Sequence, residues 1–124
     1  LGITVMLTSC TDKSKLLART WKVSELRYSR EIPADMKPVI ERSVEEMRKS
    51  FRLTYFTDGT YLSKMNGQQL KGKWKMNWNS SVLSSVPESG QPKDFKIISL
   101  TENDFTFEAD EGGEKVTFVM LAEK

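Results

Sequence analysis

The chain has 124 residues, 29% of them charged and 38% hydrophobic, which leaves room for one domain with one core and excludes a disordered or membrane-spanning composition. Nineteen basic residues against seventeen acidic ones give a formal charge of +2, and the basic residues are spread along the chain, so no nucleic-acid footprint is present. There is no histidine, which removes the usual general base and the commonest metal ligand, and a single cysteine excludes an internal disulfide.

The first residues, Leu1 to Leu7, are apolar except for Gly2 and Thr4. The run is far shorter than the roughly 20 residues a bilayer crossing needs, but it suits the end of a signal-peptide h-region. Leu7-Thr8-Ser9-Cys10 resembles a bacterial lipobox. Two small residues let a peptidase approach the backbone, and the cysteine thiol accepts the lipid. The polar "TDKSK" that follows reads as a tether. The expected organisation is a signal-peptide remnant at 1–9, a lipidated tether at 10–15 and a domain over 16–124. Several acyl chains on Cys10 would anchor the protein stably, whereas one chain alone binds marginally. The competing reading is an N-terminal edge strand that happens to end in a cysteine.

Along the body, "KSKLLARTW" suits one helical turn with Asp12 as N-cap. In "TWKVSELRYS", Trp21 and Val23 share one face while Leu26 and Tyr28 fall on the other parity, a phase change that predicts a bulge or bend. The spacing of Met36, Val39, Ile40, Val44 and Met47 predicts a helix over about 35–50, capped by Asp35, with Pro38 in its first turn and Glu45 paired to Lys49. From Phe51 the period becomes twofold. Phe51, Leu53 and Tyr55 lead into Asp58-Gly59, and Tyr61 and Leu62 open a return strand ending at Asn66-Gly67. "QLKGKWKMNWNS" alternates, with Trp74, Met76 and Trp78 on one face and Lys73, Lys75 and Asn77 on the other. A weak strand around Val82–Val86 and three strands in "DFKIISL", "DFTFEA" and "EKVTFVML" complete a count of about eight. The fold class is mostly β: an up-and-down antiparallel barrel of about eight strands with one inserted helix, closed so that no edge is left open.

These residues resemble a known family, the lipocalin-like domains of bacterial lipoproteins common in Bacteroides-type organisms. From about Leu16 to the C-terminus the order "TWKV", "FTDGTY", "GKWKM", "FKIISLTENDFTFE" and "KVTFVML" carries the likeness. The resemblance implies that the early Trp plugs one barrel end, that the DGT turn joins two strands, and that the protein is exported on a lipid anchor to the cell envelope, in the periplasm or at the outer membrane. Arg19 stands where the wider lipocalins have the glycine of an early G-x-W, and the inserted helix is longer than a first hairpin loop requires. Such a helix is expected to lie over the barrel mouth or along its flank.

Nucleophilic catalysis lacks its parts, with no histidine and no serine in a G-x-S-x-G turn, and an enzyme using carboxylates alone would need two acids facing one cleft, for which the sequence offers no support. Glu108, Asp110, Glu111 and Glu114 surround Gly112-Gly113 without a calcium-loop pattern and read as a solvated hairpin tip. The protein is therefore expected to be no enzyme, with no cofactor and no metal. Trp21, Tyr55, Trp74, Met76, Trp78, Phe95, Phe107 and Phe118 are expected to face the interior, mostly as core. The ligand-binding candidates are Tyr55, Trp74, Trp78 and Phe107, with Tyr55 and Trp78 favoured because each carries a polar handle. By likeness to the family, the expected function is holding a small apolar or amphipathic ligand in the mouth of a membrane-tethered barrel. The alternative is a filled barrel that contacts an envelope protein partner, for instance as an inhibitor.

Overall fold

A computed structural model describes residues 13–123. Cys10, the lipobox around it and the Asp12 cap lie outside the described residues. A short helix, α1 (residues 13–17), leads into β1 (Thr20–Tyr28), and α2 (Lys37–Ser50) connects β1 to β2 (Arg52–Tyr55). The remaining strands are β3 (Thr60–Met65), β4 (Gln68–Met76), β5 (Val82–Pro87), β6 (Lys93–Leu100), β7 (Asp104–Glu111) and β8 (Glu114–Ala122). Each pairs antiparallel with the next and β8 returns to β1, closing the barrel. Closure leaves no strand with an open row of backbone donors. Among the described residues no helix is long and apolar enough to cross a membrane.

The phase change in β1 is a bulge. Val23 pairs with Met120, but Glu25, not Ser24, pairs with Val119. Beyond the slip, Leu26 and Tyr28 lie opposite Phe118 and Val116 and rejoin the inner face. A second slip, between Ile97 and Ser99 of β6, was not anticipated; it puts Leu100 opposite Phe105. The turns follow their residues. Asn66 and Gly67 both have positive φ, +50° and +82°, as a two-residue turn between β3 and β4 needs. In the β2–β3 turn Gly59 sits at φ +89°, and the Asp58 carboxylate accepts from the Thr60 N–H at 3.0 Å and its hydroxyl at 2.6 Å.

One barrel end carries α1, the β2–β3, β4–β5 and β6–β7 turns and the end of β8. It is plugged. Leu17, Trp21, Leu83, Phe105 and Met120 are fully buried, and the Trp21 indole N–H donates to the Leu17 carbonyl at 3.0 Å, fastening α1 to the barrel. Arg19 lies with its guanidinium carbon 5.9 Å from the Trp21 ring centroid and donates to the Glu102 carbonyl. From this plug an aromatic series runs inward: Trp21 to Phe105 at 5.6 Å, Phe105 to Phe107 at 4.8 Å, and Phe107 to Phe118 at 5.0 Å between centroids.

The helix corrects three sequence expectations. It begins at Lys37, and its N-cap is Met36, which makes no side-chain cap bond. Asp35 falls in the preceding turn, closed by the Met36 N–H on the Pro33 carbonyl at 3.0 Å, and Pro38 has no N–H for a cap to satisfy. Glu45 pairs with Arg48 at 2.8 Å instead of Lys49. The reason lies in the β1 bulge, where the Ser24 carbonyl accepts from Arg48 Nε at 2.9 Å and draws that side chain across the helix. Because β1 meets β2 only through Thr20–Thr54 and Trp21–Leu53, the two strands part above those pairs. α2 covers the flank there: Val44 is buried, and Met47 and Phe51 pack on the core.

Candidate binding site at the barrel mouth

The opposite end carries the β3–β4 and β7–β8 hairpins, the loop between β5 and β6, and the connections of α2. Strand parity and cross-strand partners identify which side chains face inward there. Leu26 and Tyr28 on β1, Met65 on β3, Phe95 on β6 and Phe118 on β8 share the inner face with fully buried residues of the same strands or partners, yet are only half-buried. Leu70, opposite Ser63, is 61% exposed. The interior is therefore dry at one end and open at the other.

Several inner-face positions of this half carry small residues. Ser63, Gly72, Ser85 and Ala109 all occupy inner-face positions. At Gly72 the Tyr61 ring crosses so closely that an added β-carbon would stand 2.6 Å from it. The rings of Phe95, Phe107 and Phe118 form an apolar floor, with Phe95 and Phe107 edge to face at 5.2 Å. Ser85, itself buried, faces Lys93 across the β5–β6 pair, so the inner wall carries a hydroxyl below and an ammonium group at the rim. A cleft of about 510 Å³ lies at that rim, between the start of β4 and the β5–β6 loop, lined by Leu70 and Pro87 and by polar residues that include Lys71, Glu88 and Lys93; the Phe95, Phe107 and Phe118 rings are not part of its wall. Its size falls within the about 300–1,000 Å³ typical of small-molecule sites. This combination can seat an apolar body and hold a polar or anionic head near the lip.

The four candidates read from the sequence do not form one site. Tyr55 lies deep in the barrel, edge-on to Trp74 at 5.5 Å, and burial, with a smaller contribution from the Tyr61 phenol, raises its pKa above the ordinary tyrosine value. Trp74 is half-buried and its polar handle is engaged, donating to the Phe56 carbonyl at 3.0 Å. Phe107 is buried in the aromatic series and supplies the floor.

Trp78 does not face the interior; it is 92% exposed. β4 ends at Met76, and the Asn77 carboxamide oxygen accepts from the Ser81 and Val82 N–H groups at 2.9 and 3.0 Å. That local turn breaks the alternation and leaves Trp78 at a hairpin tip on the plugged end. Sequence reasoning also missed Leu26, Ser63, Gly72, Ser85, Lys93 and Ala109 as mouth residues. The available signal was a small residue at inward parity in a strand whose other inward positions are large.

At the β7–β8 hairpin, Glu108 is 3.8 Å from Lys115 and Glu114 pairs with Arg30. Among the described residues no group of three or more Cys, Asp or Glu is arranged to hold a metal ion.

The lipocalin-like domain family matches residues 17–107 of this chain, most of the barrel. The chain belongs to that family. Among solved structures, a DUF4847 family protein from Bacteroides vulgatus ATCC 8482 is similar to this lipocalin-like barrel with a TM-score of 0.61, covering 88% of this chain and 94% of that one at 14% identity. At that identity the likeness concerns the fold. No curated protein matches the chain. Lipocalin-like barrels are typically non-enzymatic binding proteins, and a binding-type function is what the fold suggests.

Proposed function

We propose that this protein is a non-enzymatic carrier whose barrel mouth holds one small apolar or amphipathic molecule, and that it is exported and anchored in the cell envelope through lipid on Cys10. The observation that supports the carrier reading most is the gradient of burial along the inner face. Trp21, Leu83 and Phe105 are sealed from water, while Leu26, Phe95 and Phe118, on the same face, keep part of their apolar surface open. Leaving such surface wet is unfavourable by roughly 25 cal/mol per Å², so an apolar guest gains by covering it. Ser85 and Lys93 offer the few polar groups such a site needs to orient its guest.

A titration with an environment-sensitive amphipathic fluorophore tests this reading. The wild type should bind one equivalent, and Leu70→Glu, a change at an exposed rim position, should weaken binding about tenfold while leaving the fold intact. Equal binding by both proteins, or none by either, would overturn the mouth as the site.

A second reading, a partner-docking module, has one observation in its favour. Met36 and Val39 are exposed at the start of α2, beside the mouth. A mass spectrum of the intact protein from its producing cell tests the anchor: it should show a chain beginning at Cys10 and carrying two or three acyl groups. An unmodified, uncleaved chain would remove the anchor from the proposal.

A further inference from the structure

The outer wall of β4 carries a row of lysines, of which Lys71 also lines the rim cleft while Lys73 and Lys75 lie outside it. Lys71, Lys73 and Lys75 alternate out of the barrel and are all exposed, with successive ammonium groups rooted about 7 Å apart along the strand. Their cross-strand neighbours on that face are Leu62 beside Lys71, Thr60 and Val86 beside Lys73, and Ser84 beside Lys75. The neighbours of Lys73 and Lys75 carry no acid, whereas Glu88 follows Pro87 into the position beside Lys71. The ion pairs formed among the described residues lie elsewhere, at Arg27, Arg30, Arg48, Arg52 and Lys115. The nearby carboxylates are partly engaged: Asp58 accepts from Thr60, and Asp94 accepts from the Ser84 hydroxyl at 2.8 Å. Glu88, whose N–H donates to the Lys71 carbonyl, marks the end of the strip nearest the mouth.

The other end of the strip runs into Trp78 at the tip of the β4–β5 hairpin. Beside it stands the β2–β3 tip with Phe56, also exposed. The two tips are held together through Trp74, which donates its indole N–H to the Phe56 carbonyl and its backbone N–H to the Gly59 carbonyl at 2.8 Å. A fully exposed indole is unfavourable in water and well suited to the headgroup level of a bilayer, where its ring is buried and its N–H stays wet.

We propose that this end of the barrel docks on an anionic lipid surface, with Trp78 and Phe56 entering the interface and Lys75 and Lys73, the lysines nearest that end, lying against headgroup phosphates. Two isolated aromatic tips flanked by flexible lysines fit a soft, fluid anionic surface. They form no contiguous apolar patch of the kind a protein partner would cover. The described chain also starts at this end, with α1 against the plug. An anchor on Cys10, as proposed above, would pull in the same direction and leave the mouth facing away from the membrane. The docking surface itself rests on the aromatic tips and the lysines and stands without the anchor.

Vesicle co-sedimentation of the unacylated 124-residue chain tests it. Phosphatidylcholine vesicles should bind little. Adding phosphatidylglycerol should produce binding that weakens with salt and shifts the tryptophan emission to the blue. Trp21 is fully buried and Trp74 is half-buried, so Trp78→Ser should remove most of that shift. Lys73→Gln and Lys75→Gln, which lie outside the rim cleft, should each weaken binding about fivefold. All these positions are exposed, and circular dichroism checks that the variants stay folded. Several outcomes would overturn the proposal: no vesicle binding, equal binding to neutral vesicles, or binding untouched by the variants, which would assign it to the apolar run at Leu1–Leu7. Binding to polyglutamate without binding to vesicles would overturn it as well, by showing a surface for acidic protein. None of these outcomes bears on the mouth, which the variants leave unchanged.

Discussion

At Gly72 a β-carbon would stand 2.5 Å from the Val86 carbonyl oxygen and 2.6 Å from the Tyr61 ring. Neither neighbour can yield cheaply: one is backbone in the β4–β5 ladder and the other is a ring held in the core. Gly72→Ala should therefore destabilise the barrel by about 1–3 kcal/mol, read as a lower urea midpoint. Tyr55 is a second deep side chain, its ring enclosed against Trp74, Tyr61 and Phe105. Tyr55→Phe should keep stability near neutral pH to within about 1 kcal/mol. The two proteins should part at high pH. Burial raises the folded-state pKa of Tyr55 above its ordinary 10.0, so the stability tied to its neutral phenol is complete below pH 10.0 and drains away as pH rises toward the folded value. The wild type should lose stability above pH 10 more steeply than Tyr55→Phe, and denaturant titrations on both sides of that pH would show it. Equal slopes would mean that Tyr55 is less enclosed than its surroundings indicate.

Among the elements, what could be read from sequence was local. The β1 bulge showed as a parity change between Val23 and Leu26 because the side-chain period of a strand is two, and one extra residue inverts it. Asn66-Gly67 announced its turn because few other pairs accept positive φ at both positions. The end of β4 could not be read, since Trp78 keeps the alternating pattern and only the Asn77 side chain, folding onto Ser81 and Val82, ends the strand. The Asp35 cap and the Glu45–Lys49 pair failed for a long-range reason: α2 is placed by its contact with β1, not by its own best local bonds. Arg48 measures that contact. Arg48→Ala should cost about 1 kcal/mol and speed amide exchange around Ser24, whose carbonyl it caps. If only helix amides were affected, Arg48 would serve α2 alone.

At the scale of the whole molecule, a barrel of this size can be filled with side chains or can hold one small guest, and this one divides the two roles along its axis. Trp21, Phe105 and Met120 fill the plugged half, and the other half has small inner-face residues at Ser63, Ser85 and Ala109 while the space over Gly72 is taken by the Tyr61 ring. That division was invisible in sequence because it depends on which strands stand face to face. The four residues chosen there for their size and polar handles, Tyr55, Trp74, Trp78 and Phe107, mostly serve the filled half or the outer surface. Native mass spectrometry of the protein taken from its producing cell, at voltages low enough to keep noncovalent guests, tests the carrier account most directly. The account predicts a one-to-one complex with a small apolar or amphipathic molecule that leaves as the collision energy rises. A barrel that stays bare even with candidate amphiphiles added in excess, or that carries a second protein in a fixed ratio, would contradict it.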